Sequence, residues 1–206
     1  VPVTVFGALV YLGLIVSLGL AAMIHNVKSK VGKGFFRTLY YLPMVTAGVA
    51  TALLFKSLFT WMGVNWLTRP DTVLPTVAFF SVWQGAGASM ILFLAALSNV
   101  PRELYEAAQI DGAKPWHLFR YITLPGLRAE IAVALTLTVT TALKSFDLVF
   151  LMTKGGPGTS TSVPGYEIFA RAFNRGEIGS AASLGVTLTI LIVLVAFAIE
   201  RFRSEK

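Results

Sequence analysis

The stretch Glu106-Ala-Ala-Gln-Ile-Asp-Gly-Ala113 lies between two long apolar runs and decides how the rest of the chain is interpreted. From Pro101 to Ile110 the residues favour a helix, with Pro at its start and mostly good helix formers after it. Asp111-Gly112 ends that helix, because Gly readily adopts the left-handed conformation that follows a helix. A second short helix is predicted from Pro115, with its apolar residues on one side: Trp116, Phe119 and Ile122. The pattern predicts a helix–turn–helix lying along a membrane face.

Composition places the chain in a membrane. Of its 206 residues 55% are hydrophobic and 13% charged, whereas soluble domains are about 45–50% apolar and about 25% charged. The absence of cysteine excludes a disulfide framework and a Cys-based metal or redox site. Two isolated histidines are too few for a metal site. The net charge of +7 comes from clusters between apolar segments rather than from one basic face, so nucleic acid is not expected as a partner.

Five segments have the length and apolarity of membrane spans, which need about 20 residues. They are 1–24, 38–55, 76–97, 126–152 and 181–199. The fold class is therefore an all-α polytopic membrane protein with about five transmembrane helices. Lys and Arg are more abundant in the loops after the first and third spans and at the C-terminus, which places those regions in the cytoplasm. Val1 then lies outside, so we expect an upstream helix to be missing from an N-terminally truncated chain.

The central loop has the chemistry of a protein-binding surface. Ala107, Ala108 and Ala113 are small enough for another protein to approach closely, and Glu106 and Asp111 offer carboxylates to its basic or backbone donors. The alternative is an interfacial amphipathic helix that rests on lipid. Such a helix needs no Gly-broken face of alanines and acids and is usually richer in Lys and Arg.

The same residues resemble the EAA loop of ABC-importer permeases, and further blocks match that family along nearly the whole chain. These blocks are Phe35-Phe-Arg-Thr-Leu-Tyr-Tyr-Leu-Pro43, Leu97-Ser-Asn-Val-Pro101-Arg-Glu-Leu-Tyr105, Ile122-Thr-Leu-Pro125 and Gly155-Gly-Pro157. The last is similar to the outer loop of carbohydrate importers of the maltose and glycerol-phosphate class. The resemblance implies a type I importer fold with one permease domain over 1–206 and a cytoplasmic coupling loop over 99–125. It assigns ATPase coupling to Glu106, Ala107, Ala108, Asp111, Gly112, Ala113, Phe119 and Pro125.

The resemblance also implies a multi-pass location in the cell (inner) membrane and a set of partners. These are a second permease subunit, identical or different, two ATP-binding subunits and an extracytoplasmic solute-binding protein. The resemblance further implies that the partner ATPases bind ATP and Mg, that this chain binds no cofactor and that it is not an enzyme. In agreement, the sequence contains no Gly-rich phosphate loop with its Lys-Ser/Thr ending.

Polar groups at membrane depth are the candidates for the substrate path. They are Trp83, Gln84 and Gly85 in the third span and Thr138, Thr141 and Ser145 in the fourth. A sugar needs hydroxyl or amide partners and an aromatic surface, which these side chains supply. Equally, Ser and Thr in membrane helices often bond to their own backbone or join helices, and Trp83 is placed as an interface anchor would be.

Some residues of these spans are also interpreted structurally. We expect Lys144 to pair with Asp147, and Glu130 to pair with Arg128 or another base. Gly85 and Gly87 predict a close approach of helices.

Two alternatives stay open. One is a permease for a non-carbohydrate cargo such as phosphate, a polyamine or an amino acid. The other is a non-ABC channel or a membrane-embedded enzyme, although no convergent catalytic cluster is found in the sequence.

Overall fold

The computed structural model describes the backbone of residues 3–204 and the side chains of residues 12–201. Within that range the chain forms helices and turns and no strand, as the all-α prediction requires. The first two residues of the predicted span 1–24 lie outside it. The helices are α1 (Val3–His25), α2 (Lys30–Val45), α3 (Gly48–Trp61), α4 (Val73–Asn99), α5 (Arg102–Ile110), α6 (Pro115–Leu118), α7 (Leu124–Gly126), α8 (Arg128–Leu143), α9 (Asp147–Met152), α10 (Pro164–Phe169) and α11 (Ile178–Ser204), with π-helical turns at Phe119–Thr123 and Ala170–Asn174.

Helix α4 is the centre of the bundle. Helices α1 and α2 pack against it, α8 packs against α1 and α11, and α3 packs against α9. The largest buried cluster joins three helices and the residue that precedes α8: Ala21, Ile24, Met90, Phe93, Ala96, Leu97, Leu127 and Ala134. By contrast, the large apolar residues of α11 are exposed, among them Ile190 and Phe197, as expected of a helix that faces lipid or another subunit.

Three stretches in the described part of the chain are long and apolar enough to cross a membrane: Val73–Asn99, Arg128–Met152 and Ile178–Arg201. The bent pair α2 and α3 passes the same test when taken together. The first predicted span is represented by the apolar helix Leu12–His25, which is the end of the longer helix α1. The structure thus supports a multi-pass helical protein, and the count of five stays a prediction.

The second predicted span, 38–55, is not one straight helix. It comprises the end of α2 and the start of α3, which meet at an angle of 90°. Pro43 lies inside α2, where it removes one helical hydrogen bond and crowds the preceding turn. The Thr46 hydroxyl then donates to the Pro43 carbonyl (2.7 Å), and α3 starts two residues later at Gly48. We attribute the bend to this local competition for backbone hydrogen bonds.

Gly87 allows the backbones of α2 and α4 to touch. A Cβ at this position would lie 2.7 Å from the Tyr40 carbonyl oxygen and 3.1 Å from the Tyr41 Cα, so only glycine fits without a backbone shift. The prediction of close approach is confirmed at Gly87. It is wrong at Gly85, where a Cβ would meet no described atom within 4 Å, because Gly85 lies on a different side of α4.

Hydroxyl groups of the long helices donate to their own helix. The pattern connects each hydroxyl to the carbonyl four residues earlier at Ser17, Ser81, Ser98, Thr136, Thr138, Thr187 and Thr189. This is the satisfied arrangement that Ser and Thr adopt in apolar surroundings.

The fourth predicted span, 126–152, is helical in two pieces. Helix α8 ends at Leu143 and α9 begins at Asp147, because Phe146 between them leaves helical geometry (φ −140°). Helix α10 packs onto this break. A Cβ on Gly165 would lie 2.9 Å from the Ser145 carbonyl oxygen.

Two predicted ion pairs are wrong. No salt bridge in the described part of the chain joins Lys144 to Asp147 or Glu130 to Arg128. The helix break after Leu143 separates Lys144 from Asp147, because residues three apart share one face only on a continuous helix. Residues two apart on a helix do not face each other, which separates Glu130 from Arg128. One carboxylate oxygen of Glu130, Oε2, is buried without a hydrogen-bond partner among the described residues.

Candidate functional site

The loop between α4 and α8 folds as a helix–turn–helix. Helix α5 ends at Ile110, and the chain reverses through the backbone bonds Gly112 N–H to Gln109 (3.0 Å) and Ala113 N–H to Ala108 (2.9 Å). Gly112 has φ +78°, the left-handed conformation predicted for it. Pro115 begins the second helix, also as predicted. The local signals therefore predicted the backbone of this loop correctly.

Aromatic stacking stiffens the second arm of the loop. The rings of Trp116 and Phe119 stack at 5.8 Å between centroids, and those of His117 and Tyr121 stack at 6.2 Å. Side chains three or four apart meet on one helical face. The predicted common face of Trp116 and Phe119 is thus confirmed. The helix widens into a π-helical turn over Phe119–Thr123, which the sequence did not predict.

A hydrogen bond between Tyr105 and Thr123 ties the two arms together. Their hydroxyl oxygens lie 2.9 Å apart, and Thr123 is buried. Leu127, directly after the second arm, is fully buried in the bundle core. Sequence reasoning missed this bond, since no periodicity links residues 18 apart. The loop is consequently a braced unit joined firmly to the bundle.

The outer surface of the loop is not covered by any other part of the chain that the structure describes. Glu106, Ala107, Asp111, Gly112 and Pro125 are exposed, and Ala108, Ala113 and Phe119 are half-buried. Large apolar side chains surround them, with Ile110 87% exposed, Trp116 67% and Tyr121 72%. In the described residues neither Glu106 nor Asp111 forms a salt bridge. Small, apolar and acidic groups together are suited to bind a complementary protein surface.

The candidates on α4 lie against α3. The Trp83 ring contacts the ring of Phe55 on α3 edge-on, with 5.6 Å between centroids. It also lies 6.2 Å from the ring of Phe80 on its own helix. The Gln84 amide lies over Gly48, where a Cβ would be 3.1 Å from its Nε2. Gln84 makes no side-chain hydrogen bond among the described residues, whereas Gly85 is exposed. The Gln84 amide at the α2–α3 bend is therefore available to a polar ligand.

The candidates on the fourth span separate from one another. Thr138 donates to the Ala134 carbonyl (2.7 Å), and its methyl group lies 3.9 Å from where a Cβ on Gly13 would be, so it packs towards α1. Thr141 is exposed and Ser145 is half-buried in the break after α8. The predicted single face for the three hydroxyls fails at Ser145, because α8 ends before it. In the described residues no hydrogen bond or ring contact joins these three to Trp83 or Gln84.

The Gly155-Gly-Pro157 loop is closed by two threonine hydroxyls. Thr153 and Thr161 lie 2.7 Å apart, and Thr161, 2% exposed, also donates to the Gly156 carbonyl (2.9 Å). Gly155 has φ +81°, and a Cβ on it would meet the Tyr166 ring at 2.5 Å. This glycine is required both by the backbone conformation and by the aromatic ring above it.

Glu167 anchors the segment that leads into α11. Its Oε1 accepts hydrogen bonds from Arg171 Nε and Arg175 Nη1, both at 2.9 Å, and Arg171 also donates to Ser180. The Arg171 bond is the main reason that the pKa of the Glu167 carboxyl lies below its ordinary value; Arg175 acts in the same direction, and partial burial opposes both. Sequence reasoning did not identify this cluster.

We expect the Glu167 cluster to weaken in acid. A carboxyl whose pKa is lowered by folding stabilises the folded state above its unfolded pKa, near 4.5, and this contribution is lost as the pH falls below that value. Glu167→Gln removes it at neutral pH, by about 0.5–1 kcal/mol for a largely solvated pair. Limited proteolysis of residues 164–177 measures the effect: wild-type protection falls in acid, and that of the variant changes little with pH. Asp71→Asn, which breaks the exposed pair with Arg69, is the control. If Asp71→Asn lowers the protection of residues 164–177 as much as Glu167→Gln does, the prediction is contradicted.

No group of three or more His, Asp or Glu side chains in the described part of the chain is placed to hold a metal ion.

Comparison with known proteins matches residues 10–204 to a family model described as binding-protein-dependent transport system inner membrane component. The chain is similar to the multiple sugar-binding transport system permease protein of Streptococcus mutans, 32% identical over 201 residues that cover 91% of this chain and 67% of the relative. It is 32% identical to the trehalose/maltose transport system permease protein of Thermococcus litoralis, over 98% of this chain and 74% of the relative.

A solved structure has a similar fold. It is a chain of a bacterial alginate ABC transporter in complex with an alginate pentasaccharide-bound periplasmic protein. The TM-score is 0.81 at 25% identity, and the match covers 98% of this chain and 76% of that one.

Proposed function

The chain belongs to the family of binding-protein-dependent transport system inner membrane components, and we propose that its importer carries a sugar or a related polyol. The relatives named above are permease proteins of sugar transport systems, and the similar structure is that of an alginate transporter. These names support a carbohydrate cargo without naming one. The runner-up is a non-carbohydrate cargo on the same permease fold.

The observation that carries the proposal is the braced, unpartnered loop between α4 and α8. We propose that its exposed acid-and-alanine surface, around Glu106 and Gly112, docks on an ATP-binding subunit. The Tyr105–Thr123 bond and buried Leu127 make the loop stiff enough to transmit a displacement to α4 and α8. ATP and Mg are bound by the partner ATPase, and the binding of ATP there closes the ATPase pair and moves this loop.

Three kinds of partner protein are assigned to the exposed surfaces of the chain. The exposed apolar face of α11 and that of α3, including Leu54 and Trp61, are available to a second permease subunit and to lipid. Two ATP-binding subunits act on the side of the α4–α8 loop, which with the C-terminus lies in the cytoplasm by the distribution of Lys and Arg. An extracytoplasmic solute-binding protein delivers the cargo on the opposite side, near the Gly155–Pro157 loop. The periplasmic protein in the similar structure supports this assignment.

The test is affinity purification of the full-length protein from its native membrane, followed by identification of the proteins that accompany it. A second permease, an ATPase and a solute-binding protein are expected, and ligand binding by the last of these names the cargo. Recovery without an ATPase under gentle conditions would exclude the coupling role. A binding protein that takes only a phosphate, polyamine or amino acid would exclude the sugar and leave the permease assignment intact.

We predict that Gln84→Leu and Thr141→Leu each weaken substrate-stimulated uptake about tenfold. Each substitution removes a polar group that is free to bond a sugar hydroxyl, and such a bond contributes roughly 1–1.5 kcal/mol. Uptake of the labelled cargo in reconstituted vesicles measures the effect, with basal ATP hydrolysis as a check on assembly. Thr187→Leu is the control, because Thr187 is an exposed hydroxyl already bonded to its own helix. Normal uptake in both variants would remove the two residues from the path.

A further inference from the structure

A cavity of about 270 Å³ lies where three helices end or begin at one end of the bundle. It is lined by the end of α1, the first turns of α2 and the last turns of α4: His25, Lys33, Gly34, Arg37, Ile91, Leu94, Ala95 and Ser98. Since α1 and α4 are membrane helices that finish here, the cavity lies at the boundary between membrane and water.

The cavity is basic and has no counter-charge. Lys33 and Arg37 are four residues apart on α2 and so share one face. No acidic side chain lines the cavity, and neither cation forms a salt bridge within the described residues. Lys33 and Arg102 both act electrostatically on His25, which brings a third cation close to the cavity. Cations collected around a hollow and left unpaired attract an anion.

The remaining walls suit a lipid rather than a small ion alone. Ile91, Leu94 and Ala95 form an apolar wall along α4, whereas the cations Lys33 and Arg37 belong to α2. The Ser98 hydroxyl, which donates to the Leu94 carbonyl (2.9 Å), is the polar group that α4 adds to the wall. Gly34 adds no side chain, and a Cβ there would meet nothing within 4 Å, so there is open space at this residue.

We propose that this cavity binds the phosphate-bearing headgroup of an anionic phospholipid, with Lys33 and Arg37 on the phosphate and an acyl chain along Ile91 and Leu94. Basic pockets between membrane helices have the charge and position to bind such headgroups. The proposal does not depend on the cargo or on the coupling role of the loop. Arg102 begins α5, so a bound headgroup also lies at the base of the α4–α8 loop.

The test uses the full-length protein, purified from membranes with the subunits that accompany it, and measures bound lipid by native mass spectrometry. Phosphatidylglycerol and phosphatidylcholine are titrated in parallel. We expect phosphatidylglycerol to be retained in preference. The double variant Lys33→Gln/Arg37→Gln should lower its affinity on the order of 30-fold, since each cation near an anionic lipid contributes about a factor of five.

Two further variants keep the result specific. Lys28→Gln/Lys30→Gln removes the same charge from exposed neighbours outside the cavity and should retain the lipid. Gly34→Glu places a carboxylate on the wall of the cavity, where a Cβ meets nothing within 4 Å, and should displace the lipid even where the double variant is poorly assembled. Equal retention by wild type, Lys33→Gln/Arg37→Gln and Gly34→Glu would overturn the proposal. So would equal binding of the two lipids, or full displacement of the lipid by inorganic phosphate, which would identify a site for the free ion.

Discussion

Gly87→Val should leave little correctly assembled protein. The new Cβ would lie 2.7 Å from the Tyr40 carbonyl oxygen and 3.1 Å from the Tyr41 Cα, and both obstacles are backbone atoms that cannot turn aside. Helix α2 must move away from α4, which loosens the packing around the centre of the bundle. Overpacking costs about 1–3 kcal/mol where side chains can adjust, and we expect the upper end here. Thermal unfolding of the detergent-solubilised protein, followed by size-exclusion chromatography, measures the loss.

Gly85→Val is the matched control for that experiment. It lies two residues away on the same helix, it carries the same substitution, and its Cβ would meet nothing within 4 Å. We expect its unfolding temperature to stay near that of wild type. Equal destabilisation by both variants would mean that the added side chain itself, and not the α2–α4 contact, determines the effect.

Gly112→Pro should uncouple ATP hydrolysis from transport while the protein stays in the membrane. The proline ring fixes φ near −65°, whereas Gly112 has φ +78° and donates its N–H to Gln109. The turn that presents Glu106 and Ala108 is then lost. Transport in reconstituted vesicles should fall at least about tenfold, which corresponds to roughly 1.4 kcal/mol of activation free energy. Glu106→Lys should act in the same direction without disturbing the backbone, by reversing the charge offered to the ATPase.

Gly63→Pro separates coupling from simple strain. Gly63 follows α3 and has φ +68°, and a Cβ on it would meet nothing within 4 Å. Its N–H donates to the Thr60 carbonyl. Its backbone geometry thus matches that of Gly112 in a loop assigned to the opposite side of the membrane. Coupling should survive this substitution. Equal transport loss in Gly63→Pro, or unchanged transport in Gly112→Pro and Glu106→Lys, would contradict the coupling role of the α4–α8 loop.

The features that were predicted correctly from the sequence are those that neighbouring residues determine. The end of α5 at Ile110, the left-handed Gly112 and the start of α6 at Pro115 each follow from one or two neighbouring residues. The bend after Pro43 was missed, because an apolar run of sufficient length does not reveal whether its two halves are collinear. The Lys144–Asp147 pair was wrong for the same reason: a spacing of three predicts contact only where the helix is unbroken. Tyr105–Thr123 required knowledge of tertiary packing.

The hydroxyl pattern of the long helices has a consequence for how the bundle moves. Because Ser17, Ser81, Thr136 and Thr138 are each bonded within their own helix, no donor among them becomes unsatisfied when one helix slides past the next. Shear between packed helices by small displacements is an established form of conformational change. When α1, α4 and α8 slide in this way, apolar contacts are exchanged for other apolar contacts. No hydrogen bond of these four hydroxyls has to break, because none of them joins one helix to another. These hydroxyls therefore add no resistance to sliding along the axes of α1, α4 and α8, whereas the backbone contact at Gly87 resists any movement of α2 against α4.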